Sequence, residues 1–238
     1  MEDGRPFDFA QGKLPPVSAC NFPVLLYYIT DRTQFLGDEA TRCRLLLEKI
    51  AEAARAGVDL IQLREKDLST RDLEALALAA AEVIRENSQL GTRLLINSRA
   101  DIAIACGAGG VHLRSKDISP REVRELWTKH FKARDREVDS PVVGVSCHSV
   151  ADISHAASEQ ASFAVFGPVF EKKDDPKVCL AGLASLEAAS SQKIPLLALG
   201  GITLENAHSC VQAGAAGVAG IRIFQDNVIA QVVQALRG

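Results

Sequence analysis

Ala56-Gly57-Val58-Asp59-Leu60 recurs along the chain as Cys106-Gly107-Ala108-Gly109-Gly110 and again as Ala213-Gly214-Ala215-Ala216-Gly217. Each copy closes an apolar-periodic stretch on a glycine and opens a short apolar run, the pattern of a helix that stops at a left-handed residue and leads into a strand. Glu159-Gln160-Ala161-Ser162-Phe163 has the same form without its glycine. Working outward from these junctions, the apolar runs of the doubly buried, parallel type are Val24 to Thr30, Val58 to Arg64, Arg93 to Asn97, Gly110 to Leu113, Val142 to Ser146, Phe163 to Gly167, Ile194 to Gly200 and Ala216 to Gly220. Between them the spacing near 3.6 predicts helices over about Asp38 to Ala56, Thr70 to Asn87, Arg99 to Cys106, Pro120 to His130, Val150 to Glu159, Leu180 to Ser190 and Leu204 to Ala213, with a last one over about Asn227 to Leu236. Ser119-Pro120-Arg121-Glu122 reads as a capping box with proline at the first helical position.

Eight such βα units favour an α/β fold of the (β/α)8 TIM-barrel type. An open, doubly wound sheet is the competing arrangement, but no G-x-G-x-x-G follows the first strand, where a dinucleotide fold would need it. The chain of 238 residues, 47% hydrophobic, is long enough for one such barrel. We expect an N-terminal extension over 1–22 and a catalytic barrel over 23–238. A net charge of -3 argues against a nucleic-acid or acidic-membrane partner, and no apolar run is long enough to span a bilayer. The first 22 residues lack the basic start and apolar stretch of a signal peptide, and six scattered cysteines without a C-x-x-C pair suit a reducing compartment, so a cytoplasmic location is expected. Lys132 to Ser140 reads as a charged connection, and Glu171 to Cys179 is long enough for a lid.

A barrel carries chemistry on the loops after its strands. After the second strand, period two would send Gln62, Arg64 and Lys66 to one side, where two cations and an amide suit an anion with several oxygens; a solvated charge run is the alternative. Asn97, Ser98 and Arg99 follow the third strand, and His112 and Asp117 belong to the fourth. Asp117 could hold Mg2+ or belong to the Ser119 cap, and His112 reads as a core residue. After the fifth strand, Cys147 and His148 are neighbours and point apart, which disfavours a dyad; His148 alone could move a proton or cap the next helix. Gly200-Gly201 and Gly217 to Ile221, after strands seven and eight, could offer backbone amides to a phosphate or merely serve turns.

Seven phrases together resemble the thiamine phosphate synthase and TenI family over Leu26 to Phe224. They are Tyr28-Ile29-Thr30-Asp31, Gln62-Leu63-Arg64-Glu65-Lys66, Ile96-Asn97 with Arg99-Ala100-Asp101, Gly110-Val111-His112-Leu113, Gly144 to Ser149, Phe166-Gly167-Pro168-Val169-Phe170 and Ala198 to Thr203. The resemblance implies an enzyme of thiamine biosynthesis acting on phosphorylated heterocycles. The synthase branch joins hydroxymethylpyrimidine diphosphate to thiazole phosphate with Mg2+, and the TenI branch isomerises a thiazole carboxylate phosphate. A barrel that binds such ligands without turnover is a third reading. By resemblance, Gln62, Arg64, Lys66 and Asn97 hold the pyrimidine diphosphate, Ser146 contacts the pyrimidine, and Gly201, Gly220 and Ile221 hold the thiazole phosphate. Asp117 ligates Mg2+ with Ser98 beside it, and His148 matches the proton-transferring histidine of the TenI branch. His148, Ser146 and Lys66 are thus the catalytic candidates; a homo-oligomer is left open. Three departures stand out. Synthases carry Asn-Asp where this chain has Asn97-Ser98, so a metal carboxylate is missing; Glu171 to Lys177 lacks the threonines of the synthase loop, and Arg222 stands where a serine is common.

Overall fold

The computed structural model describes residues 23–133, 139–171 and 180–238. Eight parallel strands run in the order β1 to β8 as a closed barrel: β1 (Leu25–Ile29), β2 (Leu60–Leu63), β3 (Arg93–Asn97), β4 (Gly110–Leu113), β5 (Val142–Cys147), β6 (Phe163–Phe166), β7 (Leu196–Leu199) and β8 (Gly217–Gly220). The helices between them are α1 (Glu39–Ala56), α2 (Thr70–Asn87), α3 (Ala100–Ala105), α4 (Pro120–Lys132), α5 (Val150–Ser158), α6 (Gly182–Ser190) and α7 (Leu204–Gln212), followed by α8 (Arg222–Gln225) and α9 (Ile229–Arg237). This is the expected (β/α)8 fold, with most strands a residue or more shorter than their apolar runs. Residues such as Val58 and Ile194 are buried in the turns leading into strands, so hydrophobicity overstates strand length.

The recurring junction behaves as its composition requires. Gly57, Gly107 and Gly214 have φ of 82°, 66° and 90°, and the fourth copy places Gln160 at φ 64°. A glutamine there carries the steric cost that the glycines avoid. The capping box of α4 is present, with Glu122 N donating to Ser119 Oγ and Ser119 N to Glu122 Oε2. Two short elements were not anticipated: a 3-10 turn over Arg32–Gln34, and α8. The extension over 1–22, most of the charged connection (134–138) and most of the lid candidate (172–179) lie outside the described residues.

By contact density the described residues fall into two units, Leu26–Val111 with Gly220–Gly238, and 23–25 with His112–Ala219. In the first, β1 pairs with β2 and β2 with β3, Ile29 lying beside Gln62 and Leu63 beside Ile96. Its core holds Leu26, Tyr27, Tyr28, Ile50, Ile61, Leu95 and Phe224. The Asp59 carboxylate accepts from Leu26 N and from the Arg237 guanidinium, yet burial outweighs these bonds and raises its pKa. In the second unit β5, β6 and β7 pair in turn, with Cys147 beside Phe166 and Phe166 beside Ala198. Phe163, Phe166, Leu197 and Val218 are fully buried or nearly so, and Trp127 of α4 is buried against Phe131, its indole N–H meeting no acceptor among the described residues.

Candidate active site

Strand β2 ends at Leu63, so the alternation read from the sequence does not continue through the next three residues. Gln62 is buried, and its amide donates to the Tyr27 hydroxyl at 2.9 Å. Arg64 is partly buried and Lys66 is exposed in a turn. The strand's period thus places Gln62, while a turn places Lys66.

That turn is anchored by Glu65, to which the sequence alone assigns no role. Glu65 is buried and accepts from Thr30 Oγ1 at 2.5 Å, from Arg32 N at 3.0 Å and from Arg32 Nη1 at 3.1 Å. The buried Arg32 guanidinium also bonds Asp67 through two nitrogens, at 2.7 and 2.9 Å, and Glu39 at 2.5 Å. Asp67 is the chief cause of the raised Arg32 pKa, and Arg32 in turn holds the Asp67 carboxyl below its usual range. Thr30 Oγ1 accepts from Arg64 N at 3.0 Å, so the backbone of Arg64 is fixed by the same cluster. A buried arginine with several carboxylate partners is tolerated because each desolvated charge is compensated. In the sequence the only signal is that Thr30 and Glu65 fall within two of the family-like phrases, Tyr28 to Asp31 and Gln62 to Lys66.

At the end of β3, Asn97 and Ser98 are partly buried, and Asn97 Nδ2 donates to Ser98 Oγ at 3.2 Å. Ser98 has φ 61°, a left-handed conformation in which aspartate and asparagine are better tolerated than serine. Arg99 is turned to Asp101 and Thr70.

In the second unit, the buried His112 reaches Ser146 Oγ from its Nε2 at 2.8 Å. His112 is therefore a core histidine whose partner is a site candidate, a link that strand-by-strand reading could not make. Cys147 is buried, its thiol pushed up to about 12 by desolvation, which removes it as a nucleophile. His148 is exposed, and Nδ1 lies 2.7 Å from the Gly167 carbonyl oxygen. A carbonyl only accepts, so Nδ1 carries the proton in the neutral ring and Nε2 keeps its lone pair. The cap of α5 is Ser149, not His148: Asp152 accepts from the His148 and Ser149 amides.

The loop after β7 gives its glycines a local reason. Gly200 and Gly201 have φ of 98° and 63°, and a Cβ on Gly201 would stand 2.3 Å from the Glu171 carbonyl oxygen. Phe170 N donates to Gly200 O, so the segment after β6 lies directly on this loop and excludes a side chain. Gly220 ends β8, Ile221 is the N-cap of α8, and Arg222 is the first of its four residues.

Mg2+, implied by the family resemblance, does not fit the donors present. Asp117 Oδ2 accepts from Arg114 N at 2.8 Å and from Arg114 Nε at 3.4 Å, and Oδ1 accepts from Nη2 at 3.0 Å. Both oxygens are thus engaged by a group bearing a permanent positive charge, which would repel a dication brought to them. Ser98 offers a hydroxyl where a carboxylate is expected, and among the described residues no three of His, Cys, Asp and Glu gather into a metal site.

No helix among the described residues is long and apolar enough to cross a membrane. The chain is matched over residues 26–224 by the family model described as thiamine monophosphate synthase. It is 36% identical over 84% of its length to a putative thiamine-phosphate synthase 2 of Aquifex aeolicus, of which it covers 96%. It is 38% identical over 82% of its length to a thiamine-phosphate synthase of Methanoculleus marisnigri, of which it covers 84%. Among solved structures it is similar to a thiamine phosphate pyrophosphorylase from Pyrococcus furiosus, with a TM-score of 0.70 and 26% identity over 90% of this chain and 93% of that one. With a family model and relatives of this identity spanning most of its length, the chain belongs to the thiamine monophosphate synthase family and is a transferase of thiamine biosynthesis.

Proposed function

We propose that the protein couples hydroxymethylpyrimidine diphosphate to thiazole phosphate in the cytosol, giving thiamine phosphate and diphosphate. The observation that supports this reading best lies at the end of β2. Arg64 and Lys66, which correspond to the family's diphosphate-binding phrase, stand on a turn pinned by Glu65, Thr30 and Arg32. A guanidinium binds diphosphate oxygens bidentately and an ammonium adds charge, so the pair is suited to a leaving group that gains negative charge as its C–O bond breaks. The methylene carbon then bonds to the thiazole nitrogen, whose lone pair forms the new C–N bond. Gln62 and Asn97 would hold the pyrimidine diphosphate beside them. Ser146, oriented by His112, would contact the pyrimidine, and the Gly201, Gly220 and Ile221 amides would take the thiazole phosphate.

The test is incubation of purified protein with both substrates, followed for thiamine phosphate and diphosphate. Product is expected, with Arg64→Ala lowering kcat/KM by about ten- to a hundredfold, the effect of losing a charged hydrogen bond. Absence of product at every Mg2+ concentration would overturn the coupling reaction.

One observation favours a second reading, thiazole tautomerisation. The Gly167 carbonyl fixes the tautomer of His148 and leaves Nε2 as a base on an exposed ring. Isomerisation of the thiazole carboxylate phosphate that His148→Ala abolishes would support it.

A further inference from the structure

We infer that Arg114 takes the place of a divalent cation at Asp117, so that the protein binds diphosphate without Mg2+. This rests on the proposed reading of the site as one that handles a diphosphate.

The residues follow β4 in the turn that leads to the Ser119 cap of α4. The Asp117 side chain is only 10% exposed, whereas that of Arg114 is 62% exposed. The carboxylate is thus fixed, and the guanidinium sits on its solvent side. Three bonds hold the pair, the backbone amide of Arg114 among them, so Asp117 keeps its orientation even when the arginine side chain moves.

Charge supports the substitution. Two carboxylates with a dication are neutral together; one carboxylate with one guanidinium is neutral as well. The guanidinium itself is exposed to solvent, where screening leaves an ion pair little role in stability, so the fold does not require it. Its geometry suits an anion better. A guanidinium has five N–H donors and Asp117 takes two of them, which leaves three that could serve the oxygens of a diphosphate.

Titration calorimetry of the whole protein with inorganic diphosphate, in EDTA and then with excess Mg2+, tests this. In EDTA the wild type is expected to bind with a Kd within about threefold of that in Mg2+, and Arg114→Ala to weaken the metal-free binding by about tenfold or more, with Arg114→Lys between them. Far-ultraviolet circular dichroism checks that each variant is folded. Binding by the wild type that requires Mg2+, or metal-free binding unchanged by Arg114→Ala, overturns the inference. The two readings fail separately. Metal-free diphosphate binding without any coupling defeats the proposed function alone, whereas coupling that requires Mg2+ defeats the inference alone. No diphosphate binding under either condition defeats both.

Discussion

The ends of β2 and β4 hold their charged residues in opposite ways. At β2 the bonds that fix the turn join residues 33 to 35 positions apart, and the arginine at their centre is buried. At β4 the bonds join residues three positions apart, and the arginine is exposed. Sequence-distant, buried bonds make a rigid platform whose loss is felt by the whole unit. Local, exposed bonds make a device that can rearrange around a ligand at little cost to folding.

The sharpest way to break this contrast is Glu65→Ala, which leaves the buried Arg32 without one of its partners and frees Thr30 Oγ1. A loss of about 3–5 kcal/mol in urea unfolding is expected, as for a broken buried pair; a loss below about 1 kcal/mol would mean that β2 is no more anchored than β4. Thr30→Val removes only the hydroxyl that links Glu65 to the Arg64 amide, and should cost about 1–3 kcal/mol by the same measurement. The smallest effect belongs to the local side. The His148 amide is the first cause of a lowered Asp152 pKa, followed, after an opposing burial effect, by Ser149. A carboxyl with a depressed folded pKa contributes stability that is complete above the unfolded value, near pH 4, and is lost as pH falls through the folded value. Asp152→Asn should therefore cost less than about 1 kcal/mol near neutrality, and the gap to the wild type should close on acidification. A gap that widens toward low pH would reverse the assignment.

The same contrast explains what was readable in the sequence. The capping box at Ser119, the glycine stops at Gly57, Gly107 and Gly214 and the order of the strands all rest on neighbours a few positions apart, and each is found. Arg32, Glu65 and the contact between His112 and Ser146 were not identified, because each depends on a partner about 34 residues away that the closing of the fold brings near. Period two assigns Lys66 to one face, but that period stops at Leu63, since strand alternation gives no warning of where a strand ends. The glycines after β7 suggest backbone amides for a phosphate, while the local demand on Gly201 comes from Glu171, in the loop that follows a different strand.

The aromatic residues provide a spectroscopic handle on this asymmetry. The single tryptophan, Trp127, belongs to the unit His112–Ala219, and the only two tyrosines, Tyr27 and Tyr28, belong to the unit Leu26–Val111. Indole fluorescence and phenol absorbance therefore report on different halves of the chain without any label. Superimposable melting curves at the two wavelengths would identify one cooperative transition, and an offset between them would give the order in which the halves come apart.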